Sequence, residues 1–139
     1  MKDLVNTKIK FREPFRPFAP AVPVEDSRNF FDIADPENNY PARFMLMVLP
    51  VNDDKRNVIP AVNHMGTARV QTVHRDTSPF YYDLIKAFGE ATGIPVLLNT
   101  SFNLAGDPIV DSPRDALNTF FNSGIDNLVL GNFILDKSS

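Results

Sequence analysis

The chain has 139 residues, 43% of them hydrophobic and 22% charged, with a formal net charge of −3; this fits one globular domain able to bury a core without covalent staples. It has no cysteine, which excludes a disulfide framework and a thiolate metal site and is compatible with the cytosol. No apolar run reaches membrane-spanning length, the opening MKDLVNTKIK lacks the apolar centre of a secretory signal, and the acidic balance argues against a nucleic-acid binder. The charge is unevenly spread. Residues 1–16 carry five Lys or Arg against two acids, and the remainder nine against fifteen. A local cationic segment on an acidic body suits a small anion better than a long phosphate backbone.

Residues 1–12 read equally as a short helix or as an extended entry segment. Pro14, Pro17, Pro20 and Pro23 follow at a strict period of three; lacking N–H donors, they are expected to exclude a helix interior and a central strand. Residues 24–33 suit a short helix with Phe30, Phe31 and Ile33 on its apolar side. DPENNYPA (35–42) reads as a turn-rich loop. RFMLMVLPV (43–51) is nearly continuous in apolar residues and predicts a buried strand. NDDKRN (52–57) is an exposed loop. TARVQTVH (67–74) alternates and predicts a second strand.

Ser78 with Pro79 opens a helix; Phe80, Leu84 and Phe88 share one face, with Tyr81 and Ile85 beside them, and Gly93 closes it. IPVLLN (94–99) predicts a third buried strand, followed by the polar loop TSFNLAGD. Ser112 opens a second helix, with Asp115 placed as in a capping box. Ala116, Leu117, Phe120 and Phe121 form its expected inner face, and Gly124 its end. One or two strands occupy 127–135. The two Ser-Pro, helix, Gly-Ile, strand passages read as recurrent local chemistry more than as an internal repeat. Helices alternating with strands predict a single α/β domain over residues 1–139 with a mixed sheet.

Three stretches are candidates for chemistry. KFREPFRPFAP (10–20) admits three readings: a solvated basic stripe, a polyproline peptide ligand, or the wall of an anion pocket. In the last, Phe11, Phe15 and Phe18 tether the segment, and an extended backbone puts Lys10 and Arg12 on one face, where they can converge on a phosphate. LNTSFN (98–103) follows a predicted strand at the end where α/β sheets favour ligands. Its Asn99, Thr100, Ser101 and Asn103 can recognise an amide or a phosphate oxygen, or can simply cap a polar turn. HMGTARVQ (64–71) brings His64 and Arg69 beside a glycine turn; each reads also as an ordinary loop or surface residue. No Walker, GxGxxG or HExxH motif is present, and no metal site is expected.

Together, KFREPFRPFAP, IPAVNHMGTARVQTV, GIPVLLNTSFNLAGDPIV and DALNTFFNSGIDNLVLGNFIL resemble the C-terminal domain of the NodU/CmcH-type O-carbamoyltransferases, which include nodulation, cephamycin and tobramycin carbamoyltransferases. The resemblance runs from about residue 2 to about residue 136. It implies a YrdC/Sua5-like twisted mixed sheet with flanking helices. Lys10 and Arg12 match that superfamily's KxR pair, and Ser101 and Asn103 its SxN pair. It further implies that Lys10, Arg12, Arg16 and Arg69 bind phosphate and that Ser101 and Asn103 line the same carbamoyl-phosphate and ATP site, with His64, Asn99 and Thr100 as possible additions. The implied reaction forms carbamoyl adenylate, with ATP and magnesium as the substrate complex and no tightly bound cofactor. An N-terminal Kae1-like domain, in cis or as a separate chain, then passes the carbamoyl group to a hydroxyl. That domain, with the family's metal-binding histidines, is absent from these residues. The alternative is a catalytically inactive YrdC-like module that only binds anions or nucleotide, or docks a partner. Either way the reading is of a cytoplasmic protein with no nucleic-acid or membrane partner.

Overall fold

The computed structural model describes residues 1–11, 13 and 15–137. Its elements in chain order are α1 (Lys2–Leu4), continued by a π-helical stretch (Val5–Ile9); β1 (Ala19–Pro23); a 3-10 turn (Val24–Asp26) and α2 (Ser27–Phe30); α3 (Tyr40–Arg43); β2 (Val48–Pro50); a 3-10 turn (Asp53–Lys55); β3 (Thr67–Arg69) and β4 (Gln71–Val73); α4 (Pro79–Thr92); β5 (Leu97–Asn99); α5 (Pro113–Phe121); β6 (Asn127–Leu130) and β7 (Phe133–Asp136). The expected α/β class holds. By internal contacts the chain divides into two compact units, 17–100 and 1–16 with 101–139.

In the unit 17–100, the main sheet has the order β4-β1-β5. β1 runs parallel to β4 and antiparallel to β5, so the sheet is mixed, as expected. Its central strand is the proline-bearing one, against expectation. The stagger of its neighbours explains this. β5 pairs with residues 19–21 and β4 with residues 21–23, so Pro20 lies outside the β4 ladder and Pro23 outside the β5 ladder. A proline is tolerated where its absent N–H would meet no ladder partner. All five residues of β1 are buried.

The strand expected over 67–74 breaks at the buried Val70. β3 pairs with β2 and β4 with β1, so one stretch of chain serves two sheets. The buried strand expected over 43–51 shrinks to β2, because 40–43 are helical and Met45 takes φ 56°. Phe44, Leu46 and Val48 are exposed; only Leu49 and Val51 of the run are buried. The helix expected over 24–33 stops at Phe30 because Phe31 turns extended (φ −133°, ψ 145°) and bridges Val51. Phe30, Phe31 and Ile33 are nonetheless all buried, contributing roughly 1.5–3 kcal/mol each.

α4 begins with Pro79 in its first turn and ends at Gly93 in the left-handed region (φ 78°), as its sequence predicts, although the Ser78 side chain makes no cap bond. Its face is not the expected one. Ile85 is fully buried with Ala21 and Val73, and Tyr81 and Tyr82 pack against them, while Phe80, Leu84 and Phe88 are exposed. Gly89 is required on the inner side, where a Cβ would come within 2.7 Å of Pro95 Cβ. β5 is half-buried, shorter and less enclosed than the expected strand.

In the other unit, the core joins Ala116 and Phe120 of α5 to Leu128, with Phe102, Val110 and Leu117 packed around them. Ser112 caps α5 by accepting from the Asp115 N–H at 3.2 Å. Phe121, expected inside, is exposed, because the helix ends there. Gly124 lies beyond the helix end; its N–H donates to Lys8 O at 3.0 Å. β6 and β7 form an antiparallel hairpin. Residues 2–9 are helical, which settles the N-terminal alternative. The helical path ends at Lys10, whose N–H donates to Val5 O at 2.8 Å, and Phe11 takes φ 47°. Lys10 and Phe11 are therefore not extended, and the same-face geometry expected for Lys10 and Arg12 does not begin there. Arg12 and Pro14 lie outside the described residues. Of the three expected tethers, Phe18 is buried, and Phe11 and Phe15 are exposed.

Candidate functional site

The residues singled out in the sequence fall into two groups, one in each unit. In the unit 1–16 with 101–139, Lys10 is buried. Helix geometry sets it: the π-helical stretch closes on Lys10, and the left-handed Phe11 turns the chain away immediately after. A non-glycine residue in that region costs roughly 1–2 kcal/mol and persists only where neighbouring contacts enforce it. The Lys10 ammonium donates to Ser101 O, to Ser101 Oγ at 3.3 Å, to Asn103 O at 3.1 Å and to Asn103 Oδ1 at 2.6 Å.

The two loop side chains are themselves coupled. Ser101 Oγ donates to Asn103 Oδ1 at 2.7 Å, and Asn103 Nδ2 donates to Asp107 O at 2.8 Å. Lys10, Ser101 and Asn103 thus form one hydrogen-bonded unit, which Asn103 ties on to the Asp107 backbone. The oxygens named are uncharged dipoles, which orient a cation. A phosphate oxygen would be a stronger acceptor than any of them.

Arg16 lies in the same unit. Its carbonyl accepts from the fully buried Asn6 at 3.1 Å, and its exposed guanidinium pairs with Glu13 at 3.1 Å. An exposed pair of this kind is weak, so the guanidinium is held ready without being locked.

In the unit 17–100, His64, Thr67 and Arg69 line a recess of about 290 Å³ with Pro17, Phe18 and Val48. The tight turn that builds its rim has left-handed Met65 and Gly66 at its tip (φ 53° and 86°). His64 N donates to Thr67 O at 2.7 Å, Thr67 N to His64 O at 3.0 Å, and Gly66 N to Asn63 Oδ1 at 2.9 Å. β3 leaves this turn with Arg69 paired opposite Val48 and exposed. An apolar wall with an exposed guanidinium at its edge can take an anion attached to a flat apolar body.

Asn99 ends β5 and reaches across the small central strand to Gln71 of β4, donating to Gln71 Oε1 at 2.6 Å. Thr100 follows, half-buried.

The structure thus brings Lys10 together with Ser101 and Asn103, and His64 together with Arg69. Gln71 and Asp107, which hold Asn99 and Asn103, escaped the sequence reading; a lone amide in a β-branched strand was the available signal for Gln71. His74 was not singled out as a site residue. Its buried imidazole lies 3.7 Å from Glu37 through Nδ1, and among the described residues its Nε2 has no hydrogen-bond partner. Burial holds its pKa below the ordinary value, and the nearby Arg43 adds to this against the opposing pull of Glu37. Among the described residues, no group of three or more His, Asp or Glu side chains is placed to hold a metal ion, and no helix is long and apolar enough to cross a membrane.

Comparison with known proteins gives the matching context. The family described as "Carbamoyltransferase C-terminus" matches residues 1–137. The nodulation protein NolNO of Sinorhizobium fredii is 47% identical over 137 residues, covering 98% of this chain and 20% of that protein. Nodulation protein NolO of Bradyrhizobium diazoefficiens is likewise 47% identical, over 98% of this chain and 25% of that protein. The 3'-hydroxymethylcephem-O-carbamoyltransferase of Amycolatopsis lactamdurans is 35% identical over 133 residues, covering 94% of this chain and 24% of the enzyme. The chain therefore spans a fifth to a quarter of the length of these relatives.

Proposed function

The chain belongs to the carbamoyltransferase C-terminus family, and from that premise we propose that it binds carbamoyl phosphate and ATP and forms carbamoyl adenylate. The carbamoyl group then goes to a hydroxyl acceptor on an N-terminal Kae1-like domain, in cis or on a separate chain. The observation that carries the reading is the Lys10–Ser101–Asn103 cluster. It is a buried cation bonded to Ser101 and Asn103, the residues where the family resemblance implies a carbamoyl-phosphate and ATP site.

The chemistry suits such residues. Carbamoyl phosphate loses its phosphoryl group to water, leaving carbamate and inorganic phosphate. A carbamate oxygen attacks the α-phosphorus of ATP, and the bond to the β-phosphate oxygen breaks to release pyrophosphate. Magnesium enters with ATP as part of the substrate. The protein's task is positioning and cationic stabilisation, with no covalent intermediate required. Lys10 fixes the loop that presents the Ser101 hydroxyl and the Asn103 amide. Arg16 offers a guanidinium fork for phosphate oxygens, and the family resemblance implies the same role for Arg69. Arg12 belongs to the same set by resemblance.

The test is to incubate the chain with carbamoyl phosphate, ATP and magnesium and to measure pyrophosphate, with carbamoyl phosphate binding followed by calorimetry. Pyrophosphate release is the expected result. Binding without release identifies a module that holds anions but does not turn over. Absence of binding by either ligand overturns the site. Arg16→Ala and Arg69→Ala should each weaken anion binding by about 1–3 kcal/mol, with little change in stability, because both side chains are exposed.

A further inference from the structure

Helix α4 has three kinds of surface. Successive residues rotate by about 100° around a helix, which places Tyr81, Tyr82, Ile85 and Gly89 on one side. This is the packed side, with Ile85 in the core and Gly89 against Pro95. Asp83, Lys86 and Glu90 form a narrow polar row, and Lys86 pairs with Asp26 at 3.0 Å. The remaining side holds Phe80, Leu84, Ala87, Phe88 and Ala91, and no polar residue. All five are exposed; Phe80 is 93%, Leu84 57% and Phe88 40% accessible. A helix at a finished protein surface has one apolar side, and its outer side is polar. A contiguous exposed apolar stripe marks an interaction surface.

We infer that the Phe80–Leu84–Phe88 stripe is the docking face for the polypeptide that accompanies this segment in its longer relatives. This rests on the proposed reading that the chain works with such a domain. The length of those relatives argues for this occupant. The matched segment is 20% of NolNO and 25% of NolO, so a much larger body is tethered to it. A tethered body meets the stripe at a high effective concentration, without needing the affinity a free partner would require. The alanines between the large side chains leave room for a partner's side chains to enter.

The experiment grafts these 139 residues in place of the matched segment of Bradyrhizobium NolO and compares the full-length graft with the chain alone. The chain has no cysteine, so Leu84→Cys and Glu90→Cys each add one reporter thiol, and maleimide labelling is read by mass spectrometry on the peptide that carries it. The Leu84→Cys thiol should label readily in the chain alone and at least about tenfold more slowly in the graft, while the Glu90→Cys thiol labels alike in both. Equal rates for Leu84→Cys in the two contexts overturn the inference. Protection of that thiol in the chain alone, relieved by dilution, points to a second copy of the chain and also overturns it. The same two labels at the aligned positions of intact NolO must give the same contrast, so a misfolded graft does not decide the matter. In the chain alone, the double substitution Leu84→Glu and Phe88→Glu should leave the melting temperature nearly unchanged; unfolding would mean that the stripe packs internally, and the inference falls. A chain that makes no pyrophosphate while the Leu84→Cys thiol is protected in the graft ends the adenylation reading and leaves the docking face standing. Pyrophosphate release without protection does the reverse.

Discussion

α4 with its following strand and α5 with its following strand are written in nearly the same words: Ser-Pro, an apolar-faced helix, a glycine followed by isoleucine, a strand. The folded uses differ at each point. Ser112 caps α5 through its side chain, and Ser78 makes no side-chain cap. Gly93 supplies a left-handed residue with open space around it, and Gly124 supplies room, since a Cβ there would lie 2.7 Å from Lys8 O. Phe120 is buried, whereas Phe80 and Phe88 face outward. β5 joins a mixed three-stranded sheet, and β6 only a hairpin. Local sequence chemistry therefore sets where a helix starts and stops. Which side of the helix is buried depends on what lies across from it.

The sharpest way to break this comparison is truncation of matched phenylalanines. Phe120→Ala should cost about 3–5 kcal/mol in chemical denaturation, and Phe80→Ala less than about 0.5 kcal/mol. Similar losses at both would mean that the outer side of α4 is packed after all. The glycines come next. Gly124→Ala should cost about 1–3 kcal/mol by collision with backbone, and Gly124→Asn should do no better. Gly93→Asn should recover much of the loss from Gly93→Ala, since asparagine tolerates the left-handed region. Denaturation midpoints of the four variants distinguish a need for space from a need for φ.

Acid sensitivity separates the two units more gently. Both histidines of the chain, His64 and His74, lie in 17–100. Burial, ahead of the nearby Arg43, holds the His74 pKa below its ordinary value. Its contribution is therefore present above the unfolded-state value of about 6.5 and is lost as the pH falls through the lower folded value. One proton limits the slope to about 1.4 kcal/mol per pH unit. Thermal melts from pH 7 downward should show the decline, and His74→Gln should flatten it; an unchanged slope assigns the acid response to carboxylates instead. The smallest contrast is between the caps. Ser112→Ala should cost about 1 kcal/mol and Ser78→Ala a few tenths, and equal losses would show that Ser78 caps its helix in solution.

Much of the candidate site was legible because its residues carry their chemistry in their identities. A lysine in a cationic segment and a serine–asparagine loop after a strand both pointed to anion chemistry, and they meet in one hydrogen-bonded cluster. The detail was not legible. The extended geometry expected at Lys10 and Phe11 fails because a π-helical turn and a left-handed Phe11 precede the loop, and neither has a periodic signature. Gln71 and Asp107 were missed because their roles depend on partners 28 and 4 residues away. RFMLMVLPV misled because hydrophobicity reports a tendency to be covered, whatever does the covering.

Sequence alone determined the α/β class, the start of α5 at Ser112, the stop of α4 at Gly93 and the segregation of cations near the N-terminus. These follow from local rules on dihedral angles, missing donors and side-chain period, which need no distant partner. Tertiary structure decided that a proline-bearing strand is central, that one run of chain divides at Val70 between two sheets, and that α4 turns Ile85 inward and Phe80 outward. Those outcomes depend on the stagger of neighbouring strands and on the body that faces each helix, and residues adjacent in sequence carry no record of either.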